Sequence, residues 1–214
     1  MAFFGFEEFK VSQGTTAEAE EIDLAALEGG EISLENPHVR LGDHVVSYWD
    51  CIYQYSQKKG VSGEPGPETM VNYVYYPVLS MTNPYLAEVE AFQKKFAESE
   101  RPPTDADVPK ITRLAMLAKT KEFSTIGEIP EGMARMSGTE GLVVNRIESL
   151  SSDEVNLLQQ GFAGFDPDKV LLLEVGRKPA SMAKSFGMMA GGGVIALLGL
   201  GWLVMGFVGP SARS

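Results

Sequence analysis

The spacing of hydrophobic and polar residues in the first third of the chain predicts a long hairpin. Residues 37–56 are rich in Val, Tyr, Trp and Ile and contain a Gly42–Asp43 break, which predicts two strands and a turn. A Gly- and Pro-rich loop over 58–68 leads to another strand at 70–81. Because Pro77 lacks a backbone donor, we expect that strand to lie at a sheet edge or to carry a bulge.

Helical signals follow in two places. Asn83 and Pro84 combine an N-cap with a first-turn proline, and an apolar stripe continues to about Ala97. A capping box at 151–154 opens a short helix that Gly161 closes. The sequence therefore predicts a helix after each of these caps.

Further strands are predicted over 111–119, 142–147 and 170–175, the last of them fully apolar. Strands and helices do not alternate regularly, so the predicted fold is α+β, with a mostly antiparallel sheet and two or three short helices. We interpret residues 1–36 as an N-terminal arm with a short strand-to-helix piece at 20–28. Residues 37–180 then form the soluble domain.

The stretch Phe186–Val208 contains 23 residues and no charged side chain. A helix of this length measures about 34 Å, which exceeds the hydrocarbon core of about 30 Å. Its seven glycines do not form a phosphate loop, because the lysine of a Walker loop and the third glycine of a dinucleotide fingerprint are missing. The sequence predicts one C-terminal transmembrane helix here.

Basic residues on the two sides of this helix predict its orientation. Arg177, Lys178 and Lys184 precede it and only Arg213 follows, which favours a cytoplasmic soluble domain and a single-pass C-terminal anchor. The N-terminal MAFFGFEEFK lacks the basic start of a signal peptide. If an N-terminal membrane helix precedes this stretch, the domain is expected outside the cytoplasm instead.

Small residues of the predicted helix form a stripe, and small stripes let helices approach closely in lipid. We expect this stripe to mediate self-association or docking to a larger membrane protein. The alternative is that glycine is merely tolerated in a membrane helix. The stripe consists of Gly192, Ala196, Gly199 and Gly206, and Gly187 with Gly191 adds a G-x-x-x-G pair.

The chain has a net charge of −11, and removing the residues after Ser185 removes only Arg213, which leaves −12. Such an acidic domain is repelled by phosphate backbones and anionic headgroups, so no nucleic-acid partner is predicted. Attachment to the lipid bilayer is expected through insertion. The single cysteine, Cys51, excludes an intrachain disulfide.

Two sets of residues could carry chemistry. Cys51 could act as a nucleophile with His44 or His38, but His44 and Cys51 are seven residues apart and fall on opposite faces of a regular strand. A buried free cysteine with surface histidines is the favoured alternative. His38, His44 and Asp43 could bind a metal, yet no H-E-x-x-H motif is present. We predict no metal and no cofactor.

Aromatic residues of the hairpin allow two interpretations. Alternating aromatics on paired strands usually pack across the sheet. They could instead present a face to a partner protein. The residues of this possible partner face are Tyr53, Tyr55, Tyr73 and Tyr75.

Several segments together resemble a group of uncharacterised bacterial membrane proteins, over about residues 20–208. The segments are EEIDLAALE, NPHVRLGDH, VNYVYYPVLS, GLVVNRIESL and VLLLEVGRKP, followed by the final membrane helix. Because the resemblance implies no activity, no functional residue is transferred. Some proteins of this kind carry an earlier membrane helix, which would place the soluble domain outside.

These observations predict a membrane-anchored, non-enzymatic accessory protein that binds another protein. The alternative is a membrane-tethered hydrolase or transferase that uses Cys51 or a carboxylate such as Asp50. Clustering of Cys51, His44 and Asp50 around one pocket would favour the enzyme. A buried Cys51 with both histidines exposed would argue against it.

Overall fold

One nine-stranded sheet dominates the described part of the chain. The computed structural model describes residues 16–30, 34–56, 64–97, 99, 101–104, 106–162 and 165–179. The strands are β1 (Glu20–Ile22), β2 (His38–Leu41), β3 (His44–Ser47), β4 (Ile52–Tyr55), β5 (Val71–Ser80), β6 (Met116–Thr120), β7 (Met133–Met136), β8 (Glu140–Val143) and β9 (Leu171–Val175). The helices are α1 (Leu24–Glu28), α2 (Pro84–Ala97) and α3 (Ser152–Gly161), with 3-10 turns at Ile126–Glu128 and Val144–Arg146.

Pairing within this sheet is mostly antiparallel, and the predicted α+β class is confirmed. Parallel pairs occur between β1 and β2 and between β6 and β9. The strand order is β1-β2-β8-β9-β6-β5-β3-β7, with β4 also paired to β5. All of these elements lie within Glu18–Lys178, which is one compact unit.

Two bent strands curl the sheet into a half-barrel. β2 and β3 continue each other, and so do β7 and β8, because one antiparallel register relates His38 to Leu142 and His44 to Met136. Gly138, at φ +68°, lies where the second strand bends. Since β8 also pairs with β9 while β3 pairs with β5, the two bent strands connect both halves of the sheet.

The main hydrophobic core fills the inner face of the half-barrel. On β5 it takes the alternating residues Val74, Tyr76 and Val78, as expected from the two-residue period of a strand. α1 closes this face with the buried Leu24. The Glu28 carboxylate accepts hydrogen bonds from the Ser80 backbone N–H (2.8 Å) and hydroxyl (2.7 Å), which fasten α1 to the end of β5.

Helices α2 and α3 cover the outer face. Leu79 of β5 packs with Tyr85 and Val89 of α2. α3 approaches β4 so closely that a Cβ at Gly161 would lie 2.5 Å from Cγ2 of Ile52. Burial of their apolar residues against the sheet therefore holds both helices in place.

Of the two positions expected for Pro77 from the sequence, the sheet edge is wrong, because β5 has partner strands on both sides. β5 pairs with β6 along one side and with β3 and β4 along the other. On the second side, β4 reaches Tyr75 and β3 starts at Val78, so Pro77 occupies the break between two partner strands. A missing backbone donor is tolerated at such a break.

Both predicted helix starts are confirmed, but the second cap is only half formed. The Asn83 side chain accepts a hydrogen bond from the Tyr85 N–H at 3.0 Å. Ser151 accepts one from the Glu154 N–H at 3.2 Å. The Glu154 carboxylate does not complete the capping box, because it binds side chains of the sheet instead.

The remaining predictions concern the two ends of the chain. The piece at 20–28, interpreted as part of an arm, supplies β1 and α1, and β1 pairs with β2. No helix among the described residues is long and apolar enough to cross a membrane. The predicted transmembrane helix at 186–208 lies outside the described residues. The same is true of the small residues predicted to pack, which are the pair Gly187 and Gly191 and the stripe Gly192, Ala196, Gly199 and Gly206.

Candidate functional site

The structure separates Cys51 from His44. The His44 ring places Nδ1 2.8 Å from the Gly42 carbonyl oxygen and Nε2 3.1 Å from the Thr139 hydroxyl. Cys51 is half-buried in the loop between β3 and β4, against the main core. Within the described residues, no hydrogen bond joins the thiol to His44. The two side chains therefore do not form a nucleophile–base pair.

Both histidines are buried, contrary to the expectation of surface histidines. His38 is 2% exposed and His44 is 1% exposed. The reason is their place in the bent strands: His38 Nε2 lies 3.0 Å from the Glu140 carboxylate, and His44 reaches Thr139. Each imidazole thus connects one bent strand to the other, on either side of the bend at Gly42.

The surroundings of Cys51 do not activate its thiol. Burial raises the pKa of the Cys51 thiol, and the neighbouring Asp50 carboxylate raises it further. A catalytic cysteine needs a lowered pKa, because the thiolate is the reactive form. The electrostatics at this position are therefore the opposite of those at an activated cysteine.

The Asp50 carboxylate holds the same loop in place. Its Oδ2 accepts hydrogen bonds from the Ser47 hydroxyl at 2.6 Å and from the Tyr85 hydroxyl at 2.9 Å. These bonds connect the loop to β3 and to α2. Burial, followed by the charge of Asp50, raises the pKa of Tyr85, so this phenol stays protonated and continues to donate.

The metal hypothesis brought together His38, His44 and Asp43. The two imidazoles point to different partners, Glu140 and Thr139. In the part of the chain that the structure describes, no group of three or more His, Cys, Asp or Glu is placed to hold a metal ion.

The four hairpin tyrosines do not share one face. Register places Tyr73 and Tyr75 on the outer face, opposite Gln54 and Ile52, whereas Tyr53 pairs with Val74 and packs against the main core. Tyr75 is 1% exposed, and its hydroxyl donates to Glu154 at 2.8 Å. Tyr55 is 38% exposed. Tyr73 is thus the outer-face tyrosine of this set that remains partly accessible.

Tyr73 lines an open groove, here named the Tyr73 groove, of about 500 Å³. The ammonium groups of Lys119 and Lys121 lie 4.3 and 4.6 Å from the centre of its ring, within cation–π range. Lys119 is also held by the Glu154 carboxylate at 2.7 Å. The residues lining the groove are Gln54, Met70, Val71, Asn72, Tyr73, Lys121, Phe123 and Ser124.

A second accessible feature is Trp49, which lies in the loop between β3 and β4 two residues before Cys51. Trp49 is 56% exposed, the largest aromatic side chain among the exposed described residues. Its backbone is nevertheless fixed, because the N–H groups of Tyr48 and Trp49 donate to the Gly132 carbonyl at 2.8 and 3.3 Å. Gly132 has φ +85°, and a Cβ there would lie 3.8 Å from the indole ring.

Beside this tryptophan lies an open strand edge. β7 (Met133–Met136) pairs with β3, and no described strand pairs with its other side. Arg135 and Met136 of β7 are exposed. We name Trp49, Gly132 and β7 together the Trp49 edge. In the sequence this loop is marked only by Asp50, a polar residue that interrupts the apolar run of the hairpin but does not indicate that Trp49 is exposed.

Comparison with known proteins supplies no homologous site. No protein-family model matches the chain, and no curated protein and no solved structure matches it significantly. A functional assignment therefore starts from the arrangement of the residues themselves. In that arrangement Cys51, His44 and Asp50 have separate structural roles, and the Trp49 edge is ordered and accessible.

Proposed function

We propose that this protein is a membrane-anchored, non-enzymatic accessory protein whose acidic domain binds another protein through the Trp49 edge. The observation that carries the proposal is the ordered exposure of Trp49, which is 56% exposed although its loop is held by Asp50 and Gly132. The predicted helix at 186–208 is the proposed anchor in the bilayer. Its glycine stripe is proposed to pack against a second copy or a larger membrane protein.

Trp49 has the properties of an interface anchor. Tryptophan is enriched among the residues that dominate binding energy, because it buries a large apolar area. An anchor that is already ordered loses little conformational entropy when a partner covers it. The open side of β7 adds unpaired backbone groups to which an extended partner segment can hydrogen-bond.

The alternative of a tethered hydrolase or transferase has less support. The raised pKa of the Cys51 thiol disfavours a nucleophile. The Asp50 carboxylate accepts hydrogen bonds from Ser47 and Tyr85, so it is engaged in holding the loop. Both observations favour the binding role.

Replacement of Trp49 tests the proposal. The full chain is purified in mild detergent as the wild type, as Trp49→Ala and as Tyr55→Ala. Tyr55 is the matched control, because it is an exposed aromatic residue (38%) of β4, outside the Trp49 edge. We expect Trp49→Ala to lose the co-purifying protein and Tyr55→Ala to keep it. Unfolding midpoints should stay unchanged in both, since neither side chain is buried.

Two results would contradict this proposal. A partner that Trp49→Ala retains as well as the wild type would remove the Trp49 edge from the interface. Equal loss of the partner in both variants would show that the dependence is not specific to Trp49.

A further inference from the structure

Three neighbouring strands, β5, β6 and β9, begin or finish at the same end of the sheet. β9 is parallel to β6, with Lys119 level with Glu174, so both strands finish at the same end. β5 is antiparallel to β6 and therefore begins there. This end, which we call the exit end, carries Met70, the Tyr73 groove with Lys121, and the chain as it leaves β9.

Ion pairs fix the chain where it leaves the sheet. Arg177 Nη1 lies 3.0 Å from the Glu148 carboxylate and 2.9 Å from that of Glu174. Lys178 Nζ lies 3.8 Å from Glu140. Arg177 is half-buried, and salt screens partly buried ion pairs less than exposed ones. The last residues of the described unit are thus tied to the exit end.

The sequence limits how far this end can be from the predicted anchor. Seven residues, 179–185, separate Lys178 from Phe186. Even fully extended, eight Cα-to-Cα steps span at most about 28 Å. β5 alone, with ten residues, rises about 33 Å. The registers give the direction, because Glu174 is level with Lys119 of β6 and Tyr75 of β5, and β9 then runs toward the start of β5.

The accessible side chains of the exit end suit a lipid surface. Met70 is 66% exposed, the most exposed large apolar residue of the described chain. Beside it the Tyr73 ring lies under the Lys121 ammonium. An aromatic ring with a polar tip and a lysine that extends to water are the side chains favoured at the membrane–water interface.

We propose that the exit end rests on the bilayer surface, with Met70 and Tyr73 at the level of the lipid headgroups and Lys121 facing their phosphates. The inference rests on the proposed membrane anchor and does not depend on the Trp49 edge. The acidic charge of the domain disfavours attraction to anionic lipid. The contact is therefore expected with zwitterionic phosphatidylcholine, held by the tether and by interfacial side chains.

Distance from the headgroups can be measured with two matched labels. The full chain, with its one cysteine removed by Cys51→Ser, carries a nitroxide at Met70→Cys or at Met81→Cys. Met81 is also exposed (39%) but follows the far end of β5. Both proteins are reconstituted into phosphatidylcholine nanodiscs with a small fraction of nickel-chelating lipid. We expect at least a threefold greater nickel-induced relaxation rate at position 70 than at position 81.

Each outcome bears on the proposal. Lys121→Glu should lower the rate at position 70 at least twofold, while circular dichroism reports an intact fold. Equal rates at both positions, or a higher rate at 81, overturn the orientation but leave the anchor intact. Weak rates at both positions also overturn it, because neither end of β5 then lies near the headgroups. Failure of the chain to co-purify with the discs overturns the anchor itself, and the orientation with it.

Discussion

Burial of the Cys51 thiol determines how this residue should react with electrophiles. Because the surroundings raise its pKa, less thiolate is present at a given pH than in an exposed cysteine. We expect alkylation by iodoacetamide at pH 8 to be roughly tenfold slower than that of free cysteine. The rate should rise with pH through a midpoint above the ordinary thiol value. Fast labelling at neutral pH would revive the nucleophile alternative, and unfolding in urea serves as the control that removes the protection.

The hydroxyl of Tyr85 is a second residue with a measurable role, because it anchors the Trp49 loop through Asp50. Tyr85→Phe removes the part-buried hydrogen bond from the phenol to the Asp50 carboxylate. The loss should lower the free energy of unfolding by about 1–2 kcal/mol. Tyr55→Phe is the control, since the Tyr55 hydroxyl has no hydrogen bond among the described residues. Urea denaturation of the full chain in detergent measures both. A Tyr85 variant as stable as the control would contradict the assigned role of Asp50.

Residue types alone could not reveal these roles. Asp50 reads as a candidate catalytic carboxylate, and His44 as a candidate base or surface residue. Their actual functions depend on Tyr85 and Thr139, which lie 35 and 95 positions away along the chain. Such long-range hydrogen bonds leave no local periodicity, so the sequence contains no signal that predicts them.

Close packing between strands gives a prediction at the level of elements. A Cβ at Gly141 of β8 would meet the Glu174 carbonyl oxygen of β9 and would lie 3.1 Å from Cδ1 of Leu173. Gly141→Ala must therefore shift a paired backbone, and we expect a loss of about 2–3 kcal/mol in the free energy of unfolding. Gly42→Ala is the matched control, because a Cβ there has no neighbour within 4 Å. Equal midpoints for the two variants in urea would contradict the close approach of β8 to β9.

Elements with strong local signals were predictable, and those shaped by distant partners were not. The caps at Asn83 and Ser151 act within one turn of helix, so both helix starts follow from the sequence. β7 was missed because Met133–Met136 is short, half exposed and shows no apolar alternation. The strand predicted over 142–147 is shorter and shifted, since the chain turns into a 3-10 helix at Val144.

Long-range contacts also limit what the sequence predicts about individual side chains of the described domain. Glu154 completes a capping-box pattern, yet its carboxylate receives hydrogen bonds from Tyr75 and Lys119. Competition between a local and a long-range partner cannot be read from spacing alone. The same applies to Trp49, whose backbone N–H donates to the carbonyl of Gly132, a residue distant along the chain.

At the scale of the domain, the two proposed surfaces use different residues, although the Tyr48 ring next to Trp49 lies 6.0 Å from the Phe123 ring of the Tyr73 groove. The Trp49 edge lies beside β7 and β3, whereas the exit end lies where β5 begins and β9 finishes. One surface can therefore bind a protein while the other faces lipid. This arrangement suits an accessory protein that holds a partner close to a membrane. Both proposals include the predicted membrane anchor.

The proposed anchor leads to a prediction about association of the whole chain. On a helix, Gly199 lies on the small-residue stripe, and Gly201, two positions later, points about 200° away. Leucine at position 199 separates closely packed backbones, whereas leucine at 201 leaves that contact unchanged. We expect Gly199→Leu to abolish most energy transfer between donor- and acceptor-labelled full chains in bilayers, and Gly201→Leu to preserve it. Equal energy transfer in the two variants would mean that the stripe does not mediate packing. Absence of transfer in the wild type would leave a larger membrane protein as the proposed partner of the helix.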